Sequence, residues 1–572
     1  MKSGMFNRKS RSLLHHRCTS ELFDLLIIGG GITGSSIFRD AALRGLKTVL
    51  VEAKDFSSGT SSRSSKLFHG GLRYIRSFDF HLTKEACRER NRALQLNPRL
   101  VKPIPFMIPV YKRNYQKCKF CALLHAYDFL SGYNNYKNHT FVSIKETLSL
   151  APGLPAEGLA GSYVYYDALV NDLRYTLETI KDGVKNGGYA FNYMKVTSFI
   201  KSEGRICGVS CIDTVGNTHH RLYARSVVNA SGSFTDTLRK LDDPNCTPLL
   251  RLSRATHLVF AKKHIPFHIT LTFFSPIDGR VLFLISHDDC FLYGTTDTWF
   301  KGNPASPCPE NDDVDYLLES INMAFPGINL SQDKVLFTYS GFRPLIMKKA
   351  ASDHPSDASR EDYYEVSGSG LITVTGGKLT TARLMAVKTL RLVYHQLKRK
   401  ASPCTTDRKP IGGDSRGIPE TVTRWLIQHP NMKKEIVSMY SDFGPDFSEF
   451  FKQYLCDFSG NHCIDPEIIR LRYICRNEMA VKLEDIIERR IGSISWNILM
   501  RKNYARRYRT LLQEELGLSS EEFENQFEEY MAYLRIYHSP GEDAEALFSA
   551  THQYQQICHH NSIRSQVEGE TA

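Results

Sequence analysis

The 572-residue sequence contains no run of 18 consecutive apolar residues, so it holds no candidate bilayer-spanning segment. It has no internal repeat and no low-complexity tract, which sets aside repeat-built and compositionally biased architectures. No apolar stretch follows the basic N-terminus, so no secretory signal is expected, and the 14 cysteines are read as those of a reducing compartment. The first 20 residues lack any acidic group while carrying Lys2, Arg8, Lys9, Arg11 and Arg17 among several serines. That composition suits a mitochondrial targeting segment, a later start at Met5, or a basic flexible extension over residues 1–20, and the extension is the expectation taken forward. No second cysteine or histidine pair stands at zinc-finger spacing after Cys118-x-x-Cys121, although His125 is close. The pair is therefore read as a solvent-side or half-buried helix pair, and no metal is expected.

What is present is the composition of an ordinary folded protein, 42% hydrophobic and 23% charged. The length exceeds what one hydrophobic core usually serves, so two or three domains are expected. The formal net charge of +12, from 73 Lys+Arg against 61 Asp+Glu, suits an anionic membrane surface, a phosphorylated substrate, or simple solubility. Charge alone does not argue for nucleic acid, and none is expected as a partner.

From Phe23 the chain reads strand, glycine turn, helix, strand. Phe23–Ile28 is an apolar run suited to a buried parallel strand, Ser35–Gly45 has helical spacing, and Thr48–Val51 is a second strand. Two later runs, Ser226–Val228 and Leu371–Val374, also end in glycine turns and are expected in the same sheet, whereas Val281–Ile285 and Cys290–Tyr293 alternate as an antiparallel sheet does. After the linker Pro410–Asp414, the segments Ile468–Glu488 and Tyr504–Leu516 read as amphipathic helices. The expected fold class is α/β: a Rossmann-like cofactor domain, an inserted antiparallel β-rich substrate domain, and an α-helical C-terminal domain. The expected boundaries are a discontinuous cofactor domain within 21–404 (about 21–80, 155–250 and 340–400), an interleaved substrate domain (about 81–154 and 251–339), and the linker and helical domain at 405–572.

Gly29, Gly31 and Gly34 satisfy G-x-G-x-x-G between an apolar strand and a helix. The first allows the tight turn, the second a close approach to pyrophosphate, and the third close packing of helix on strand. Glu52 ends the next strand, where a carboxylate binds ribose hydroxyls and disfavours a 2′-phosphate. The motif points to a dinucleotide without separating FAD from NAD.

The continuation is more specific. The stretch Asp55-Phe56-Ser57-Ser58-Gly59-Thr60-Ser61-Ser62-Arg63-Ser64-Ser65-Lys66-Leu67-Phe68-His69-Gly70-Gly71-Leu72-Arg73-Tyr74 resembles the signature of FAD-dependent glycerol-3-phosphate dehydrogenases. Further matches follow in order: Tyr165-Tyr166-Asp167 with Asn171-Asp172-Leu173-Arg174, then Gly294-Thr295-Thr296-Asp297, Tyr339–Leu345, and Gly376-Gly377-Lys378-Leu379-Thr380-Thr381. The resemblance continues more loosely through Asn477–Ala480, Leu483–Asp485 and Arg489-Arg490. It implies FAD as cofactor, held by Gly29, Gly31, Gly34, Glu52, Thr60, Ser61, Ser65, Gly70, Gly377, Lys378, Leu379 and Thr380. It implies glycerol 3-phosphate as substrate, with its phosphate held by Arg73, Arg343 and Lys378, oriented by Tyr74, and with His257 as the base that takes the hydroxyl proton. Guanidinium groups suit the phosphate because they bind it bidentately. It implies a membrane quinone as electron acceptor and peripheral contact with the cytoplasmic face of the inner membrane. The mitochondrial inner membrane is the alternative, disfavoured because no EF-hand loop follows the helical domain. A homodimer is left open.

Arg254-Ala255 stands where the family usually has Lys-Gly, Ser286-His287 where it has Pro and an aromatic, and Arg63 where a small residue is usual. These departures put details of the substrate pocket in question. The rival readings are a glycerol-3-phosphate oxidase passing electrons to oxygen, an amine or amino-acid oxidase, which needs no cluster of cations, and a non-catalytic flavoprotein scaffold.

Overall fold

The computed structural model describes residues 6–72, 79–111, 113–132, 135–305, 307–347, 355, 361–413, 420–457, 465–492 and 497–538. Its organising strand is Leu22–Ile28, in which Phe23, Leu25, Leu26 and Ile27 are fully buried. A near-continuous apolar run is what a parallel strand covered on both faces requires. Parallel neighbours flank it, Thr48–Val51 on one side and Thr218–Asn229 on the other. The sheet runs Asp362–Val366, Ile372–Gly376, Thr218–Asn229, Leu22–Ile28, Thr48–Val51, Tyr189–Phe191, with the hairpin Met194–Ser202 and Arg205–Asp213 attached through Thr218–Asn229. Val228 pairs in parallel with Ile372, so the two later strand–glycine turns end beside the first. Helix Ile32–Leu43 packs against both Asp172–Lys185 and Ala382–Gln396.

A second, mostly antiparallel sheet runs Thr298–Phe300, Leu250–Ala261, Cys290–Gly294, Val281–Ser286, Thr270–Phe274, Val101–Tyr111, Leu159–Val170, Leu67–Phe68, with Val335–Ile346 paired along Leu250–Ala261. This moves three boundaries. Leu67–Phe68, Leu159–Val170 and most of Val335–Ile346 were expected on the cofactor side or at its edge, yet all pair in the second sheet. Ladder partners decide membership of a sheet, and Leu159–Val170 follows Val101–Tyr111 almost end to end.

The C-terminal helices share one core with this second sheet: Val259 and Phe337 join Phe447, Ile469 and Leu512. Each such side chain contributes roughly 1.5–3 kcal/mol when fully buried. The two long helices expected there are each interrupted. Pro466–Asn477 stops before a π-helical turn at Asp485–Ile491, and Ile498–Arg507 is separate from Arg509–Leu516. The first interruption is where the chain meets the N-terminal segment, since Met479 N donates to Phe6 O at 2.8 Å and Asn192 Nδ2 to Met479 O at 2.9 Å.

The expectation of a flexible extension over 1–20 is corrected over its described part. Arg11–Thr19 is a helix with Leu14 and Cys18 buried, and Phe6 stacks near Phe56 at 6.0 Å. Arg11 is buried in a bidentate pair with Asp213, Nε to Oδ2 at 2.9 Å and Nη2 to Oδ1 at 3.0 Å. A basic segment reads as solvated only while its counter-charge is unknown, and here the carboxylate comes from a distant strand.

Candidate active site

Where Leu22–Ile28 ends, the chain must turn at once into helix Ile32–Leu43. Gly29 holds φ at +116°, and a Cβ there would stand 2.5 Å from the carbonyl oxygen of Ala230. A Cβ on Gly34 would come within 1.9 Å of the carbonyl oxygen of Gly29, so helix and turn approach more closely than any side chain permits. Beside Gly31, Ser61 Oγ accepts from Ile32 N at 2.8 Å. The positive end of the helix therefore opens toward hydroxyl groups, an arrangement suited to a phosphate anion. Glu52 Oε2 accepts from Gly30 N at 2.7 Å and Oε1 from Lys54 N at 2.9 Å. Burial pushes the Glu52 carboxyl above its ordinary range.

The turn faces a cavity of about 1150 Å³, above the roughly 300–1,000 Å³ typical of a single small ligand. Its wall includes Gly29, Gly31, Glu52, Thr60, Ser61, Ser65, His257, Arg343, Gly377, Lys378, Leu379 and Thr380. Gly34 and Gly70 stand behind that wall. Gly70 is excluded from it by close packing, because its Cα faces Cys87 Sγ and Tyr127, and its N donates to Tyr127 Oη at 2.8 Å. Arg73 and Tyr74 lie outside the described residues.

The register of the second sheet brings the distant site residues together. Leu250–Ala261 runs antiparallel to Val335–Ile346 with Ser253 opposite Arg343 and His257 opposite Tyr339. Alternation along each strand puts both pairs on one face. Arg343 Nη1 donates to Asp297 Oδ1 at 2.8 Å and Nη2 to Thr295 Oγ1 at 3.1 Å, which aims the guanidinium from the Gly294–Asp297 turn. His257 is buried, stacks on Tyr339 with centroids 4.8 Å apart, and has Nε2 2.9 Å from Ser65 Oγ. Burial, with Arg343 and Lys66 nearby, pushes its imidazole well below the ordinary histidine range. At the far end, helix Ala382–Gln396 is preceded by a single tight turn at Leu379–Thr381, and Thr380 Oγ1 accepts from His69 N at 3.2 Å.

The serine-rich loop is held by charged groups, most of them behind the cavity wall, with Asp55, Ser64 and Arg489 in the wall itself. Asp172 accepts from Ser64 Oγ at 2.6 Å and from Lys66 Nζ at 2.7 Å. Two residues on, Arg174 donates to Glu478 Oε1 at 2.5 Å and to the Arg490 carbonyl at 2.9 Å. Asp55, at the loop's start, is buried and receives Arg489 Nε at 2.6 Å, Arg490 Nη1 at 2.5 Å and Nη2 at 2.9 Å, and Asn192 Nδ2 at 2.7 Å. In the sequence these motifs stand only as matches to a family; that they form a brace between the loop and the C-terminal helices is visible in no local pattern. The adjacent arginines Arg489-Arg490, close after the acidic Glu484-Asp485, were the one available signal.

Burial alone would raise the Asp55 carboxyl, but Arg490 and Arg489 outweigh it and hold it below its ordinary value of 3.8. Burial likewise opposes ionisation of Glu178, yet Lys181, Arg99 and Arg174 bring it down to about 2. Both carboxylates have folded pKa values below their unfolded ones, so their stabilisation is complete above the unfolded values and is lost as pH falls through the folded ones. Thermal midpoints measured between about pH 5 and pH 2 should therefore drop steeply below about pH 4; a flat profile there would contradict the brace.

The sequence departures do not all reach the cavity. Arg254 is buried in a pair with Glu310 and, at 2.9 Å, Asp313, while Ala255 does line the wall. His287 is buried, and burial followed by nearby Lys66 brings its imidazole down to about 4. Arg63 lines the wall and donates through Nη2 to Tyr533 Oη at 2.7 Å, tying the loop to helix Ser520–His538.

A family model described as FAD dependent oxidoreductase matches residues 24–383. The chain is 32% identical to the aerobic glycerol-3-phosphate dehydrogenase of Bacillus subtilis (strain 168), over 89% of this chain and 93% of that protein. The crystal structure of the glycerol-3-phosphate dehydrogenase of Bacillus halodurans complexed with FAD superposes with a TM-score of 0.74 at 30% identity, covering 93% of this chain and 98% of that one. The L-alpha-glycerophosphate oxidase of Mycoplasma pneumoniae with FAD bound shares the fold, with a TM-score of 0.53 at 19% identity over 69% of this chain and 100% of that one.

Proposed function

Because this chain belongs to the FAD-dependent oxidoreductase family, alongside glycerol-3-phosphate dehydrogenases, we propose that it oxidises sn-glycerol 3-phosphate to dihydroxyacetone phosphate and passes the electrons to a membrane quinone. It is an enzyme that uses FAD. The cradle around Gly31, Ser61 and the start of Ile32–Leu43 fits a diphosphate, and the Glu52 carboxylate fits ribose hydroxyls. When bound, FAD supplies the hydride acceptor.

The observation that carries the substrate reading is Arg343 on the same sheet face as His257, in a cavity also lined by Lys378. Arg343 and Lys378, with Arg73 and Tyr74 from outside the described residues, hold and orient the phosphorylated alcohol. His257 accepts the hydroxyl proton at Nε2, displacing its contact with Ser65 Oγ. The cations that disfavour an imidazolium also favour a developing alkoxide, so proton removal and charge stabilisation act together. A bound phosphate dianion offsets Arg343 and raises the proton affinity of His257 at the moment it is needed. Leu379 and Thr380 lie in the tight turn that leads into helix Ala382–Gln396, whose positive end would suit negative charge on a flavin held beside it.

Adding glycerol 3-phosphate to the anaerobic yellow holoenzyme is expected to bleach its visible absorbance. Absence of bleaching would sink the reading and favour a non-catalytic flavoprotein. Replacing Arg343 with Met removes a charge-assisted contact worth roughly 1.5–3 kcal/mol, so apparent substrate affinity should fall by about 10- to 150-fold with a smaller change in flavin reduction at saturation. An unaltered apparent affinity would contradict the assignment.

The quinone reading is supported by one apolar side of the cavity, where Phe106, Ile108, Phe120, Leu123 and Phe283 lie near the exposed Phe274. No helix among the described residues is long and apolar enough to cross a membrane, which fits peripheral attachment. Anaerobic turnover with a quinone analogue, compared with peroxide yield in air, separates this reading from the oxidase.

A further inference from the structure

The outer side of helix Arg113–Leu130 carries chemistry that the flavin cavity does not use. Phe120 and Leu123 reach the cavity wall, and Leu124 and Tyr127 are buried beneath the helix. Cys118, Cys121 and His125 succeed one another at helical steps and share a different, solvent-facing side, with Cys118 and His125 exposed and Cys121 half-buried. The chain returns to this side at His139. Ligand atoms of Cys121, His125 and His139 all lie within 4.8 Å of one another.

The spacing is that of a coordination polyhedron. Cys121 Sγ and His125 Nδ1 are 3.5 Å apart. Tetrahedral ligands at about 2.3 Å for sulfur and about 2.0 Å for nitrogen stand roughly 3.5 Å from each other. The rings of His125 and His139 meet edge to face at 4.5 Å. His139 is also oriented: Nδ1 donates to Asp128 Oδ2 at 2.6 Å, and its backbone N donates to the same oxygen at 3.2 Å. A carboxylate on one ring nitrogen fixes the tautomer and leaves Nε2 as a lone-pair donor, the usual setting of a metal-bound histidine.

We propose that Cys118, Cys121, His125 and His139 form a tetrahedral zinc site on the outside of this helix, with Asp128 as the positioning residue for His139. Cys118 lies one helical step from Cys121 and completes the four ligands. Two thiolates and two neutral imidazoles balance the dication; on binding, the protons of both thiols pass to solvent, and His125 changes tautomer, with its ring proton moving from Nδ1 to Nε2 through solvent. His125 Nδ1 meanwhile gives up its 2.9 Å contact with the Cys121 carbonyl. The site escapes a spacing search because His139 stands far beyond the roughly 3–5 residues that usually separate paired histidines. Bound metal would fasten the His139 segment to the helix that supplies Phe120 and Leu123 to the cavity.

Chelator-treated holoprotein titrated with Co²⁺ is expected to take up one equivalent with the visible d–d bands of a tetrahedral thiolate site, displaced by one equivalent of Zn²⁺. Cys121→Ser and His139→Ala should each abolish that spectrum, and Asp128→Asn should weaken Zn²⁺ binding about 10- to 100-fold. Flavin content reports whether each variant is folded. Independently of any variant, Zn²⁺ should protect Cys118 and Cys121 of the wild-type holoprotein from alkylation. Equal alkylation with and without Zn²⁺, or cobalt bands that persist unchanged in Cys121→Ser, would overturn the proposal.

Discussion

Flavin reduction by glycerol 3-phosphate in the His257→Asn variant is expected to run about 100-fold slower than in the wild type, a barrier increase of about 2.7 kcal/mol. Asparagine retains a polar contact for Ser65 Oγ, which lies 2.9 Å from His257 Nε2, but it cannot take up a proton. The imidazole is buried against Tyr339, so the loss is not made good by bulk water. Stopped-flow measurement of the reductive half-reaction isolates this step from acceptor chemistry. A rate equal to wild type would remove His257 from the role. The pH dependence gives a second check: burial, Arg343 and Lys66 depress the imidazole pKa, so the acid limb of kcat/KM in the free enzyme should lie well below the pH at which an ordinary histidine titrates.

Asp55→Asn is expected to cost about 3–5 kcal/mol of stability, measured as a shift in the denaturant midpoint at constant slope. The substitution removes the negative charge that faces two buried guanidinium groups. Arg489 keeps Asp485 at 2.7 Å and Glu484 at 2.5 Å, whereas Arg490 has no second carboxylate among the described contacts, only the Glu478 carbonyl and the neutral oxygen that asparagine retains. The cost therefore falls mainly on Arg490. FAD retention should fall in parallel, because Asp55 opens the loop that places Thr60, Ser61 and Ser65 in the cavity wall. A change below about 1 kcal/mol would show that the brace is only a contact and carries little stability.

How much of this was legible in the sequence differs from residue to residue. The turn at Gly29–Gly34 could be read because its three glycines answer local steric demands, each confined to a few neighbouring residues. The runs Leu22–Ile28 and Thr48–Val51 could be read because burial on both faces forces unbroken apolar composition. Arg343 and His257 were nameable through motif resemblance, but their shared face was not, since it depends on the register between Leu250–Ala261 and Val335–Ile346. The pairing of Arg11 with Asp213 and of Asp55 with Arg490 was equally out of reach.

By itself, then, the sequence determined the dinucleotide turn, the apolar strands around it and the likeness to a family of flavoenzymes, because short-range sterics and periodicity leave their mark within a few residues. Only the tertiary structure decided which cation faces which carboxylate, which strands belong to which sheet, and that a basic N-terminal segment packs as a helix. Those outcomes rest on ladder register and on charges far apart in the chain, and an isolated charge carries no record of its eventual partner.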